Sequence, residues 1–590
     1  MNKHRSDIGF MSRLFFRLLP VQILAQLITP VNDIISSLFA SNYIGARAMS
    51  AVGLYNPIDL FITGISMLIA TGAQILCARY IGKEEREGAQ NMFSTGLVLT
   101  IGFSALSIAV LVLGTLTGLT RIFTADEAVR VSLNHYILGR AVGILPSLLR
   151  LLLATFMALE NRRKEAILAS VVYLVLNPGL TFLFVVTLGM GEFGLSLASS
   201  ISMWGFLLIE LKYFFSGRSM LKLSFSGARP GHAWDIMKTG FPDAISYGYL
   251  AVCGFIVNAL ISRYIGSAGL SANAAAVSLL DNVWAILYGM QAVALLLMSV
   301  SVGEEDRESL VNVMRVILYR CVPLIVCVSA AVIMLAGPLA QLFFRDPADP
   351  VCRMTTAAFR IIPLCLPFTV IRMQFSGYAK ASGQQLLAHT LTLLDSLVFI
   401  AGFSALLIRF MGFNAVCFSY VFCSIGCILF VVLWSWVKRK SFPRSIEQVL
   451  MIPDDFGVTK DARIDITVRS IDEVVHVSQQ VIDFCRRRGI SERTGYFSGL
   501  FLEEMAANVV EHGFNKDRKS HSVDIRVVHK GDDVILRIKD DCIPFDPSEQ
   551  MEVINQKDRV KGIGIRLVYR GAKDIRYQSV MGLNVLTIRM

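Results

Sequence analysis

Three short blocks near the C-terminal end carry side chains suited to phosphate chemistry. In the first, Glu503-Glu504-Met505-Ala506-Ala507-Asn508 through His512-Gly513, a continuous helix would bring Glu504, Asn508 and His512 to one face at i, i+4 and i+8. A carboxylate and an amide oxygen one turn apart suit a metal-bound triphosphate: hard oxygen ligands serve Mg²⁺, and the acid can orient or deprotonate a nucleophile. The second block, Asp540-Asp541-Cys542-Ile543-Pro544-Phe545-Asp546-Pro547, reads as a strand end breaking into a turn. The third, Gly562-Ile563-Gly564-Ile565, is a glycine loop opening a helix over Arg566 to Tyr569, where backbone amides and the helix dipole can hold phosphate. A lone Gly-x-Gly says little, but the three blocks in this order, with 60 residues from Glu504 to Gly564, form a far more specific pattern.

A second set of candidates lies in strongly apolar surroundings, where an ionisable or amide side chain is expensive and is read as functional by default. Asp33 and Asn177 stand in the first half of the chain, Asp281 and Asp395 in the second. Each of the two later acids is either a cation site or an interfacial carboxylate. Arg150 and Arg372 each follow a Leu-Pro pair and can pair with these acids or line an anionic path. The eleven cysteines include no Cys-x-x-Cys pair and read as packing residues, so no protein-bound transition metal is expected.

Two unlike regions must position these groups. The chain is 54% hydrophobic and only 17% charged, with a mean hydropathy of +0.58, which excludes a wholly soluble or disordered protein. Residues 1–440 hold 33 basic and 22 acidic residues, whereas residues 441–590 hold 23 of each. Excess positive charge confined to the apolar part suits basic membrane loops better than a nucleic-acid surface. Twelve apolar stretches are long enough to span a bilayer, beginning near Leu14, Ala51, Met92, Ser132, Glu165, Phe193, Gly240, Ala272, Asn312, Thr355, Gln385 and Met411. Basic residues on the side holding both termini outnumber those opposite by 21 to 7, which predicts cytoplasmic termini in a multi-pass protein of the plasma (inner) membrane. The polar first ten residues show no cleavable signal.

An internal repeat divides the apolar region. Tyr43-Ile44-Gly45 recurs as Tyr264-Ile265-Gly266, Gly82 as Gly303 and Leu145-Pro146 as Leu366-Pro367, all at an offset of 221. Two six-span bundles in the same orientation follow, over residues 1–220 and 221–440, with substrate sites expected near the midplane. After Lys438-Arg439-Lys440, Pro443, Pro453 and Gly457 punctuate a linker over 441–461. A soluble α+β domain is predicted for 462–590: a strand over Ile464 to Val468, helices over Ile471 to Arg488 and Arg493 to His512, and a hairpin over Val523 to Lys539 turning at Gly531-Asp532-Asp533.

Pro20, Asp33, Tyr43-Ile44-Gly45, Ser50-Ala51-Val52-Gly53, Pro57, Gly72-Ala73-Gln74 and Gly82, followed by Gly240-Phe241-Pro242 and Tyr264-Ile265-Gly266, resemble in order and spacing the multidrug and toxic compound extrusion (MATE) family across residues 10 to 437. The resemblance implies a V-shaped pair of lobes exporting organic cations or other amphiphiles across the lipid bilayer in exchange for H⁺ or Na⁺. It places Asp33 at the family's acidic position in the first lobe, which makes it the leading ion-coupling candidate. In the fifth span the family shows Asn and then Asp ahead of Pro, whereas Tyr173 and Asn177 precede Pro178 here. An amide cannot release a proton, but Asn177 could still coordinate Na⁺ or substrate.

The tail from Asp461 resembles the GHKL ATPase superfamily, specifically the anti-sigma-factor type of serine kinase. That resemblance implies a Bergerat-type sandwich binding ATP and Mg²⁺, with Asn508 on the metal, Glu504 as general base, Asp540 on the adenine amino group and Gly562 and Gly564 on the phosphates. Lys557, Arg559 and Lys561 would lie in the closing loop, and Gly582-Leu583-Asn584-Val585-Leu586-Thr587 looks like the final strand. Cys542 replaces the glycine of the second block, where a side chain would crowd adenine or shift the backbone.

Three readings remain open. The leading one is a secondary efflux transporter whose cytoplasmic ATP-binding domain regulates it; the absence of a GxxxxGK[ST] run argues against ATP-powered transport. The alternatives are a membrane-tethered serine/threonine kinase or switch, with an anti-anti-sigma (STAS) type partner and a dimeric tail, and a flippase of lipid-linked oligosaccharides.

Overall fold

The computed structural model describes residues 3–39, 43–44, 46–123, 126–160, 162–216, 219–341, 344, 346–454, 456–458, 460–514, 521–547, 563–580 and 582–590. The chain divides into two compact units, one built chiefly from 12–451 and the other chiefly from Ile452–Met590.

In the first unit, twelve helices among the described residues are long and apolar enough to cross a membrane. They are α1 (Ile8–Asn32), α2 (Ala51–Gly82), α3 (Arg86–Leu116), α4 (Glu127–Leu159), α5 (Lys164–Thr187), α6 (Gly191–Phe215), α7 (Pro230–Tyr264), α8 (Ala268–Gly303), α9 (Arg307–Met334), α10 (Pro350–Ser382), α11 (Gln385–Met411) and α12 (Phe413–Arg439). The largest departure from the expected starts is at α7, where Pro230 takes the first helical turn after an extended Arg229, so the helix begins in polar sequence ahead of its apolar stretch. Several spans are locally rewound. A π-helical turn over Phe182–Thr187 follows Pro178 in α5, and others occupy Ile317–Cys321 in α9 and Leu394–Val398 in α11. A 3₁₀ turn over Ile362–Cys365 contains Pro363 in α10.

Glycines set how closely the two lobes approach. A Cβ on Gly82, at the end of α2, would overlap the backbone around Val300 and Gly303 of α8, and one on Gly303 would overlap Arg79. These are the repeat-related pair, so the two halves meet on equivalent positions. Gly240 of α7 packs on Leu68 of α2, and Gly289 of α8 on Ile23 of α1. Arg79 extends the closure by donating from Nε to the Ala381 carbonyl at 2.8 Å and from its terminal nitrogen to the Lys380 carbonyl at 2.9 Å. Toward the opposite end of α2 the approach stops: a Cβ on Gly53 would meet nothing within 4 Å, and Phe61, Leu250 and Phe255 are exposed. The lobes thus meet most closely around Gly82 and Gly303, where the backbones of α2 and α8 leave no room for a side chain. Beyond α12, a short helix α13 (Ile446–Val449), capped by Ser445, returns to this unit. Ser435 Oγ donates to the Gln448 carbonyl at 2.7 Å, and Glu447 lies 3.9 Å from Arg307 at the start of α9.

The second unit comprises β1 (Arg463–Val468), α14 (Ile471–Arg487), α15 (Glu492–Asn508), β2 (Val523–Lys530), β3 (Asp533–Asp540), α16 (Ile563–Gly571), β4 (Asp574–Val580) and β5 (Leu583–Arg589). Its five-stranded antiparallel sheet runs β1-β2-β3-β5-β4. The helices bury Val474, Val481, Phe501, Leu502 and Val568 against Val523, Ile525, Val527, Leu536 and Ile538. Ser470 and Ser491 cap α14 and α15 by accepting from the amides of Glu473 and Thr494. Strand β4 has no counterpart in the expected elements: Ile575 and Tyr577 alternate with Arg576 and Gln578, but Ser579 falls on the apolar phase and cuts the pattern to two apolar residues.

Candidate functional site

The strand period explains why Asp540 is unusual. In β3, alternate residues Val534, Leu536, Ile538 and Asp540 are buried, so a carboxylate ends the apolar face of the sheet. Register places Asp540 opposite Asn584 of β5. Asn584 Nδ2 donates to Asp540 Oδ1 at 2.8 Å, and the Cys542 amide donates to the same oxygen at 2.9 Å. Tyr577 of β4 in turn donates to Asn584 Oδ1 at 2.9 Å. Burial raises the carboxyl above its ordinary value, opposed by these two donors. Asn584 and Tyr577 were not singled out from sequence; an amide inside the apolar final strand was the available signal.

On α15 the two adjacent glutamates diverge. Glu503 accepts from Ser478 of α14 at 2.6 Å, which is a packing contact. Glu504 points the other way, and a Cβ on Gly564 would overlap its Oε2. Neither Glu504 nor the half-buried Asn508 has a hydrogen-bonded side chain among the described residues, so both offer oxygens to a ligand. The expected three-residue face ends early: α15 stops at Asn508, and Val509–Gly513 forms a π-helical turn that leaves His512 exposed. The wider turn changes the angular spacing, which takes His512 out of line. Cys542 packs beside Gly513. It is buried, and its Sγ would lie 3.0 Å from a Cβ on Gly513, so a glycine on the neighbouring segment makes room for it. Gly562, Lys561, Lys557 and Arg559 lie outside the described residues.

The donor set fits a magnesium nucleotide. It combines a buried, oriented carboxylate acceptor, an unengaged carboxylate and amide one turn apart, and a bare glycine backbone at the opening of α16.

Within the membrane unit, polar groups collect in two places. In the first lobe, Asn32 Oδ1 accepts from Tyr173 Oη at 2.9 Å, Asn177 Nδ2 at 3.0 Å and Ser199 Oγ at 2.9 Å, all four residues being buried. Asn177 is thus in a polar cluster centred on Asn32. The side chain of Asp33 lies outside the described part of the structure. In the second lobe a cavity of about 830 Å³ is lined by Asp243, Asp281, Asp395, Arg372 and Lys380, with Trp284, Tyr288 and Tyr420 among its walls. Arg372 ion-pairs with Asp395 and Lys380 with Asp243. Asp281 is exposed to the cavity and has no ion-pair partner among the described residues.

This geometry defines a twelve-span membrane protein of two repeated lobes followed by an α+β domain with a candidate nucleotide site. Residues 22–183 and 242–405 match the MatE family, and the chain belongs to that family. Residues 467–590 match the histidine kinase-like ATPase domain. Among solved structures the chain is similar to a crystal structure of MATE in complex with MaL6, with a TM-score of 0.68 and 21% identity over 73% of this chain and 96% of that one. It also resembles an outward-facing MATE multidrug resistance transporter of the MOP superfamily (TM-score 0.66, 20% identity, 73% and 96% covered). A third is a MOP superfamily transporter from Pyrococcus furiosus, described as having a binding pocket of reverse polarity (TM-score 0.65, 20% identity, 71% and 95% covered). No curated protein matches the sequence.

Proposed function

We propose that the membrane unit is a secondary exporter of organic cations, held in a bilayer with both termini in the cytoplasm, and that Asp281 is the cation-binding carboxylate. The observation that carries this reading is the charge balance of the second-lobe cavity. Three carboxylates face two cationic side chains, and the two ion pairs leave Asp281 uncompensated beside Trp284, Tyr288 and Tyr420. One carboxylate among aromatic faces suits a lipophilic cation, whereas the anionic head of a lipid-linked oligosaccharide would meet net negative charge. Of the two second-lobe acids read from sequence, Asp395 is engaged by Arg372 and Asp281 is the one that can exchange H⁺ or Na⁺ for substrate. Efflux of ethidium from proteoliposomes of the full chain tests this: a Na⁺ or H⁺ gradient is expected to drive it and Asp281→Asn to abolish it. Efflux driven by ATP hydrolysis alone, or unchanged in Asp281→Asn, overturns it.

The tail is read as an Mg·ATP-binding regulator of the exporter. Asp540 would accept from the adenine amino group, Gly564 and Gly562 would lie along the phosphates with Lys561 nearby, Asn508 would hold Mg²⁺, and Glu504 would act as base. Bound ATP supplies a transferable phosphoryl group. Support for a regulatory role comes from α13, which ties the root of the tail to α12 through Ser435 and to the start of α9 through Glu447 and Arg307. Phosphotransfer to a protein serine, in the manner of anti-sigma kinases with a STAS-type partner, is the second reading. It is favoured by the unengaged Glu504 carboxylate beside Gly564. Transport that persists in Glu504→Ala but loses its response to ATP supports regulation. Transfer of labelled phosphate to a STAS-type protein, lost in the same variant, supports the kinase.

A further inference from the structure

The first lobe holds a buried acid and a buried base that the cation site does not use. Glu210 of α6 is fully buried, and neither of its carboxylate oxygens has a hydrogen-bond partner among the described residues. Arg150 of α4 is 8% exposed. Its Nε is also unpartnered, and its guanidinium lies over the Phe206 ring with 5.4 Å from Cζ to the centroid. Arg150 is the charged group within electrostatic reach of Glu210, yet the two form no ion pair.

The second lobe provides a comparison inside the same chain. Arg372 is related to Arg150 by an offset of 222, and Asp395, which neutralises Arg372, is related by the same offset to Tyr173. A phenol therefore stands where the second lobe has its counter-ion, and that phenol is committed to Asn32. The nearest replacement acid comes from the next helix. Ser199, Met203, Phe206 and Glu210 follow one another at helical spacing on α6. Ser199 joins the Asn32 cluster, and Met203 and Phe206 pack with Ile28, Ala169 and Tyr173. One stripe of α6 thus connects the polar cluster to Glu210.

We propose that Glu210 is a proton-binding site of the first lobe, carrying H⁺ in the arrangement described and releasing it when Arg150 moves from the Phe206 ring onto the carboxylate. An ionised carboxylate without a donor inside a helix bundle is strongly disfavoured, and the neutral acid is not. Release is Glu–COOH to Glu–COO⁻ plus H⁺, the proton passing to water and the new charge being met by the guanidinium. The other groups facing this site are few. Tyr173 of α5 bears on Arg150, and Lys212 on α6 itself is exposed. The π-helical turn Phe182–Thr187 contains no titratable residue, and no charged group of α2 reaches Glu210 among the described residues. The proposal deepens the exporter reading by naming the proton as the ligand of this lobe, with Arg150 as its positioning residue.

The test is infrared titration of the purified full-length protein, reading the C=O stretch of protonated carboxylic acids. The wild type is expected to show such a band at neutral pH that disappears as pH rises. Glu210→Gln should lack it, and Arg150→Met should retain it to higher pH, because the cation that stabilises the carboxylate is gone. Asp395→Asn, which removes an ion-paired carboxylate, should leave the band in place. A band unchanged in Glu210→Gln, or a wild type without one, overturns the proposal. Should Glu210→Gln fail to fold, Glu210→Asp must shift the band frequency, and an unshifted band is equally fatal. No transported substrate enters the measurement, so a failure of cation export with the band intact rejects the exporter reading and leaves the proton site standing.

Discussion

The carboxylate of Glu504 lies against the bare Cα of Gly564, although 60 residues separate them in the chain. Helix α15 brings one and the opening of α16 the other, so the proposed base and the proposed phosphate-loop glycine share one surface. Any side chain at 564 must displace Glu504. Gly564→Ala is therefore expected to weaken ATP binding by about tenfold or more, the equivalent of roughly 1.4 kcal/mol. The far-ultraviolet circular dichroism should be unchanged. Fluorescence of a trinitrophenyl-ATP probe on the full chain reads the affinity.

Asp540 is expected to separate stability from function. Its folded carboxyl is raised by burial, so the native state binds the extra proton and stability falls as pH rises from the unfolded carboxyl's range through the folded one. Asp540→Asn keeps an oxygen for Asn584 and the Cys542 amide but removes the charge. It should flatten the acid limb of the pH–stability profile and leave the tail at least as stable at neutral pH. ATP affinity should fall by about 1.5–3 kcal/mol, the usual worth of a hydrogen bond to a charged group. Thermal unfolding across pH, with and without ATP, reads both.

The orientation of that carboxylate depends on a relay from Tyr577 to Asn584 to Asp540. Tyr577→Phe should loosen the Asn584 amide and reduce ATP affinity by about 0.5–1.5 kcal/mol, a neutral hydrogen bond's contribution. A titration that shows no change would remove Tyr577 from the site.

The two cavity acids of the second lobe should respond in opposite ways. Asp395→Leu strands Arg372 and is expected to destabilise the protein by about 3–5 kcal/mol. Asp281→Asn strands nothing and should leave the melting temperature in detergent within about a degree or two, a change below ~0.5 kcal/mol, while abolishing efflux.

Closure of the lobes rests on Gly82 against Gly303. Gly303→Val would push the backbone of α8 away from Arg79 and Gly82. Cysteines introduced near Gly82 are expected to label faster in this variant, and a gradient should no longer drive transport. Equal labelling rates would show that this contact tolerates the added volume.

Twelve spans and two repeats were readable in the sequence because they depend on local quantities: apolar length and a constant offset. The order of the three tail blocks was readable for a similar reason, since the chemistry demands fixed residue types. Which groups are free and which are engaged was not. Asp281 and Asp395 look alike in an apolar run, and only packing puts Arg372 on one of them. Glu503 and Glu504 are adjacent, and the turn of α15 sends the first to Ser478 and the second to Gly564. Glu210 drew no notice near the end of its span, yet the fold buries it beside an arginine whose expected counter-ion position holds Tyr173. Local pattern determined what kinds of element this chain forms and in what order. The partner of each charge was decided by tertiary packing, because a buried charge is balanced by whatever neighbouring helices bring to it.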